Sequence, residues 1–234
     1  MSADAARRIA ELSRRYRLSG GQSGQLAALA SLLAADQLAP TAVRAADLAV
    51  DTHLADSLVA LELGLLQEVQ TIVDIGAGAG FPGLALAVAL PGSQVALVDS
   101  QARKCAFLER AIEAAGIANA EAVCTRVEQW PKGIGRHGAA LARAVAAQPV
   151  VLEYAAPLLC LGGVLIDWRG RRDSAGEAAA LRACSQLGLE RERIVLTKPF
   201  AAARDHHLHV FVKTAETPPR FPRRVGTARK RPLG

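Results

Sequence analysis

Asp74 is followed at alternate positions by Gly76, Gly78 and Gly80 in the stretch TIVDIGAGAGFPG, Thr71 to Gly83. An apolar run that ends in an acid and breaks into glycines is a place where backbone can come close to a ligand, because glycine turns sharply and carries no Cβ. Gly78 to Gly83 also fits GxGxxG, the fingerprint of dinucleotide sites. That fingerprint begins where its strand ends, a place held here by Gly76, and counted from Gly76 the sixth residue is Phe81 rather than glycine.

The alternate-glycine form with its leading acid suits S-adenosylmethionine better than a pyrophosphate. The ammonium of that cofactor needs a carboxylate nearby, direct or through water, a role open to Asp74, while Gly76 and Gly78 let the chain approach its methionine and ribose portions. Tight packing alone is the plain alternative. Asp99 closes QVALVDS at the tip of the next expected strand, where a carboxylate can accept from both ribose hydroxyls or can cap the helix expected over QARKCAFLERA. One strand further on, Val127 and Glu128 in CTRVEQW would line the adenine side of the same crevice; read alone, Glu128 is an ordinary solvated loop acid.

These residues need a frame. Residues 1 to about 66 read as helical, with Leu26, Leu29, Leu32 and Leu33 at helical spacing and breaks at LSGGQSG and Pro40. From Thr71 short apolar strands alternate with helical stretches, which argues a parallel sheet with crossover helices. Later strand candidates are AEAVCT, AALARAV, GGVLIDW, RIVLTKPF and HLHVFVKT, and PLLCLGG reads as a helix stopped by glycines. The last two strands are joined only by AAARDH, too short for a helical crossover, so they should pair antiparallel. The expectation is a Rossmann-like α/β fold in three parts: a helical extension at 1–66, a methyltransferase-like unit at 67–216 and a basic tail at 217–234.

Half of the 234 residues are hydrophobic, enough for a sizeable core, and no stretch approaches ~20 uninterrupted apolar residues, so no membrane association is expected. The cysteines at 105, 124, 160 and 184 are scattered, with no ligand spacing for a metal, and read as small buried hydrophobes. Of the formal +6 charge, much lies after Glu216, where six arginines and lysines follow with no acid, either a solvated terminus or a polyanion-binding segment. No heptad or extended apolar face is evident, and a monomer is expected.

Taken together, VDTHLADSL, DIGAGAGFPGLALA, LVDSQARKCAFLERA, TRVEQW, LARAVA, GGVLIDWRG and RFPRRVGTARKRPLG resemble, in the same order, the bacterial 16S ribosomal RNA guanosine-N7 methyltransferases, the RsmG or GidB family. The resemblance runs from His53 to the C-terminus. It implies a class I methyltransferase fold with a seven-stranded sheet, S-adenosylmethionine as methyl donor, no metal, a cytoplasmic location and 16S rRNA or the 30S subunit as partner. The methylated base would be guanosine 527, in the decoding region. Carried over by motif position, Gly76, Phe81, Val127, Glu128 and Arg143 are implied cofactor contacts, with Arg143 nearest the reacting groups or else in a structural salt bridge. Two places depart from the family: its arginine before the last strand corresponds to His206, and its lysine after the fifth strand to Arg169. Histidine is largely neutral near pH 7 and lacks the guanidinium fork, so phosphate or base contacts do not carry over to His206; Arg204, two residues upstream, is the candidate substitute.

Guanine N7 has a lone pair and no proton, so its methylation needs no general base. Alignment of N7, methyl carbon and sulfur can supply roughly 7–11 kcal/mol. An arginine could hold guanine O6 while leaving N7 free, or could orient the cofactor carboxylate. Cytosine methylation through a Pro-Cys nucleophile does not fit, since no cysteine follows a proline. The competing classes are a methyltransferase of the same fold with a small-molecule or protein acceptor, a nicotinamide oxidoreductase, and a non-catalytic RNA-binding module. The shifted glycine register counts against the second, and an intact cofactor motif against the third.

Overall fold

In the computed structural model, which describes residues 2–43 and 45–234, seven stretches are strands: β1 (Thr71–Ile75), β2 (Gln94–Asp99), β3 (Ala120–Cys124), β4 (His137–Arg143), β5 (Leu159–Arg169), β6 (Leu189–Thr197) and β7 (His206–Lys213). They form one sheet in the order β3-β2-β1-β4-β5-β7-β6. β7 runs antiparallel to both neighbours, and the other pairings are parallel. The expected mostly parallel seven-stranded α/β sheet with an antiparallel last hairpin is therefore the fold. Strand order reverses between β1 and β4, and at such a switch point a crevice opens beyond the carboxyl ends of the strands.

Alternation along the strands divides the interior into two layers. Ile72, Ala139, Leu141 and Ile166 face one core, while Val73, Ala140, Ala142 and Leu165 face the other, as a two-residue side-chain period requires of a sheet buried on both faces. The first layer is covered by α1 (Ala3–Arg15), α2 (Gly20–Ala35), α3 (Ala46–Ala49), a π-helical turn (Val50–Ala55), α4 (Asp56–Leu58), a 3-10 turn (Val59–Leu63), α5 (Gly83–Ala89) and α6 (Ala102–Ala115). The second is covered by α7 (Gln148–Ala155), α8 (Ser174–Leu187) and α9 (Thr227–Lys230).

Three readings from sequence need correction. PLLCLGG is not a helix: α7 ends at Ala155, ahead of Pro157, and Leu159 to Gly163 already belong to β5. Gly162 takes φ +78° where the β4 pairing shifts register, so these glycines serve a strand irregularity rather than a helix stop. LSGGQSG is only partly a break, because Ser19 and Gln22 form a reciprocal capping box that starts α2 at Gly20, and the Gln22 amide also reaches the Val88 carbonyl at 2.7 Å. Finally, Cys105 and Cys184 are buried as expected, but Cys124 is exposed at the end of the edge strand β3.

Candidate functional site

At the end of β1 the chain turns through Gly76, Gly78 and Gly80 with φ of +67°, +58° and +89°. A Cβ at Gly76 would lie 3.1 Å from Val145 Cγ2, and one at Gly80 would lie 2.2 Å from Leu84 Cδ1, so this turn accepts nothing larger than glycine without displacement of its neighbours. Asp74 lies beneath the turn at 1 % exposure, and its Oδ2 accepts from the Gly83 amide at 2.8 Å. Burial pushes its pKa up to about 7, against the opposing effect of that hydrogen bond. Asp74 thus pins the start of α5 and does not form part of the cleft wall.

Above the turn opens a cleft of about 440 Å³ whose walls include Gly76, Asp99, Val127 and Glu128. Asp99 holds it together from one side: Oδ2 accepts from the Gly78 amide at 3.1 Å, and Oδ1 accepts from the Gln101 amide at 3.0 Å. Lys104 Nζ stands 3.4 Å from the same carboxylate. The N-cap of α6 is Gln101, with no side-chain cap, so Asp99 fixes the turn before the helix rather than capping it. On the far side the C-terminal segment folds back, with Gly226 N donating to Glu128 Oε1 at 3.1 Å and Arg229 lining the cleft beside Tyr154.

Arg143, the last residue of β4, faces a second cavity of about 320 Å³ bordered also by Asp56, Trp168, Arg169, His206 and His207. Its Nη1 donates to Thr52 O at 3.0 Å and to Asp56 Oδ2 at 2.9 Å, and its Nη2 donates to His53 Nδ1 at 3.1 Å. Arginine cannot accept, so His53 Nδ1 must be the bare nitrogen and Nε2–H the donor to Thr41 Oγ1 at 2.9 Å. Burial, followed by the Arg143 charge, lowers the His53 pKa to about 4, consistent with that neutral ring. Asp56 is shared further: His206 Nδ1 lies 2.9 Å from its Oδ1, and Trp168 Nε1 donates to its carbonyl at 2.8 Å. Phe81, 4 % exposed, stacks on the His53 ring at 5.1 Å between centroids.

Four of the residues singled out by sequence, Gly76, Asp99, Val127 and Glu128, line one cleft, and Gly78 is tied to it through its amide bond to Asp99; Arg143 borders the neighbouring cavity, with His53 between it and Phe81. Ala144 lines both cavities. Of the two departures, His206 is placed against Asp56, and Arg169 is held by Asp167 Oδ2 at 2.7 Å. Arg204 bonds carbonyls of its own loop, including Ala203 O at 2.9 Å, and is absent from the second cavity. His53 and Asp56 went unassigned in the sequence although both sit in VDTHLADSL, three residues apart. Tyr154 gave no signal, and Arg229 was legible only as one charge of the basic C-terminal segment. Among the described residues no group of three or more His, Cys, Asp or Glu could hold a metal ion, and no helix is long and apolar enough to cross a membrane.

Comparison with known proteins bears on the family and the fold. The family described as rRNA small subunit methyltransferase G matches residues 28–207. A ribosomal RNA small subunit methyltransferase G from Synechococcus sp. (strain JA-3-3Ab) is 38 % identical over 195 residues, 79 % of this chain and 74 % of that protein. Among solved structures, a SAM dependent methyltransferase from Aquifex aeolicus superposes with a TM-score of 0.54 at 17 % identity, covering 70 % of this chain and 91 % of that one. Geranyl diphosphate C-methyltransferase from Streptomyces coelicolor A3(2), in complex with Mg2+, geranyl diphosphate and S-adenosyl-L-homocysteine, gives 0.53 at 16 % identity, covering 68 % and 78 %. With the sheet order, the glycine turn and this match in hand, the chain belongs to the rRNA small subunit methyltransferase G family.

Proposed function

We propose that this chain transfers the methyl group of S-adenosylmethionine to N7 of a guanine in 16S rRNA, guanosine 527 of the decoding region. The observation that carries this reading is the pair of cavities joined at Ala144: a cleft with the glycine turn and a ribose-height carboxylate on one side, and an arginine-bordered chamber on the other. In it, Gly76 and Gly78 give the cofactor backbone to lie against, Asp99 accepts from its ribose hydroxyls, and Val127 with Glu128 meets adenine. Arg143 stands at the shared wall, its guanidinium fixed by Thr52, Asp56 and His53 before any substrate arrives. Such prior fixing is what an alignment-driven reaction requires. Phe81 acts through His53, holding the ring that orients Arg143.

The guanine N7 lone pair forms the new bond to carbon as the carbon–sulfur bond breaks. The positive charge passes from sulfonium to the N7-methylated base, the sulfur leaves as a neutral thioether, and no proton moves. Exposed Arg220, Arg224, Lys230 and Arg231 offer cations to the RNA backbone, whereas Phe221 is buried and packs rather than stacking on a base. In this reading residues 67–216 carry the chemistry, 1–66 support the acceptor chamber through Thr52, His53 and Asp56, and the reaction takes place in the cytoplasm.

The test is transfer of labelled methyl to naked 16S rRNA and to intact 30S subunits, with nuclease digestion of the product. Labelled 7-methylguanosine is the expected outcome. Label in any other nucleoside, or cofactor binding with transfer to neither RNA, overturns the acceptor assignment.

A further inference from the structure

The basic segment at the C-terminus is not a free end. Arg223 Nε donates to Glu153 Oε1 at 2.8 Å while its Nη2 engages the other oxygen, and Glu153 is 1 % exposed. The same Nη2 donates to Arg231 O at 2.8 Å, closing residues 223–231 on themselves, and Phe221 and Ala228 bury into the core layer against α7. A half-buried ion pair with two hydrogen bonds costs much to break, so the segment is held against α7 at this point.

That anchoring sets two groups over the cleft. Gly226 N meets Glu128 at the turn after β3, and Arg229 Nη2 donates to Val145 O, at the turn after β4, at 2.9 Å. Arg229 and Tyr154 both line the cleft, and Tyr154 faces the Glu128 carboxylate and the Arg229 guanidinium. Burial first, then the Glu128 charge, raises the Tyr154 pKa, so the phenol stays protonated and able to donate. The Glu128 carboxylate thus meets both the Gly226 amide and the Tyr154 hydroxyl.

We infer that residues 223–231 are a fixed wall of the cofactor cleft and that Arg229, with Tyr154, binds the cofactor at its adenine end. The inference rests on the cofactor reading above. A planar guanidinium can lie along the face of a purine, which lysine cannot reproduce. The chain therefore completes its cofactor site with its own last residues.

The test is calorimetric titration of the full chain, without RNA, with S-adenosylhomocysteine and with 5′-methylthioadenosine, which lacks the amino-acid end. Arg229→Ala is expected to weaken both ligands about tenfold, with the melting temperature checked in parallel, and Arg229→Lys to recover little of the loss. Val225→Ala, exposed on the same segment and outside the cleft wall, is expected to leave both affinities unchanged. Unchanged or tighter binding in Arg229→Ala overturns the inference, as does an equal loss in Val225→Ala or a loss confined to S-adenosylhomocysteine. Failure of the unaltered chain to bind either ligand instead sinks the cofactor reading, so the two failures are separable.

Discussion

The two cavities are made in different ways. The cleft at the glycine turn is mainly a backbone construction: three glycines with positive φ, amides held by Asp99, and an acid buried beneath the turn, all within about thirty residues of one another. The chamber beside it is a side-chain construction in which Arg143 from β4, His53 and Asp56 from the N-terminal helices and His206 from β7 complete one another. A backbone site tolerates no added volume, whereas a side-chain site tolerates no lost partner.

The largest expected effect follows from the second half of that statement. Arg143→Ala leaves Asp56 buried with His206 as its remaining side-chain partner among the described residues, and should lower the unfolding free energy by about 3–5 kcal/mol in urea titrations. In the Arg143→Ala, Asp56→Ala double variant the combined loss should be well short of additive; strict additivity would mean that the ion pair is not a unit. The first half is probed by Gly83→Ala, whose new Cβ would sit 2.3 Å from Leu97 Cδ2 and 2.7 Å from Asp74 Oδ2, and which should cost about 1–3 kcal/mol together with cofactor affinity. Gly92→Ala, with nothing within 4 Å of its Cβ, is the matched control and should change neither.

Smaller effects separate binding from stability and the two sites by pH. Asp99→Asn should weaken S-adenosylhomocysteine by roughly tenfold, about 1.4 kcal/mol, through lost acceptor capacity at the ribose. A drop in stability without a drop in affinity would make Asp99 a turn-holding residue only. The sites should also titrate in opposite senses. His53, lowered from 6.5 to about 4, takes up protons on unfolding, so its contribution is intact above pH 6.5 and is lost as pH falls toward 4. Asp74, raised from 3.8 to about 7, releases its proton on unfolding, so stability is lost as pH rises across that interval. Asp74→Asn should therefore steepen the rise in thermal midpoint between pH 4.5 and 6.5, and His53→Gln should flatten it. The reverse order would disprove the assignment of the two environments.

The same distinction explains what could be read from the sequence. Asp74 to Gly83 and Asp99 were legible because each stands at the end of a short apolar run that marks a strand, and Glu128 because it follows β3 by one turn. The short AAARDH link gave the antiparallel hairpin for an equally local reason. Arg143 could be singled out but its environment could not, since Asp56 lies 87 residues before it and His206 is 150 residues from Asp56. PLLCLGG was misread because apolar residues before glycines suit a helix end as well as a strand entering with a bulge, and only the pairing with β4 decides. The charge of the last residues dominated their reading, while Phe221, Ala228 and the buried partner Glu153 determined their position.

Ala144 takes φ +57°, a left-handed conformation that a residue bearing a Cβ adopts at a cost of about 1–2 kcal/mol. In a continuing strand Arg143 and Val145 would point to the same side; with this twist between them, Arg143 borders one chamber and Val145 the other. Ala144, whose side chain is a single methyl group, borders both chambers. In the proposed reading donor and acceptor meet beside it, so position 144 works as a gauge block: a larger side chain there would take up room that the two reacting groups share, with Asp99, Glu128 and Arg143 left as they are.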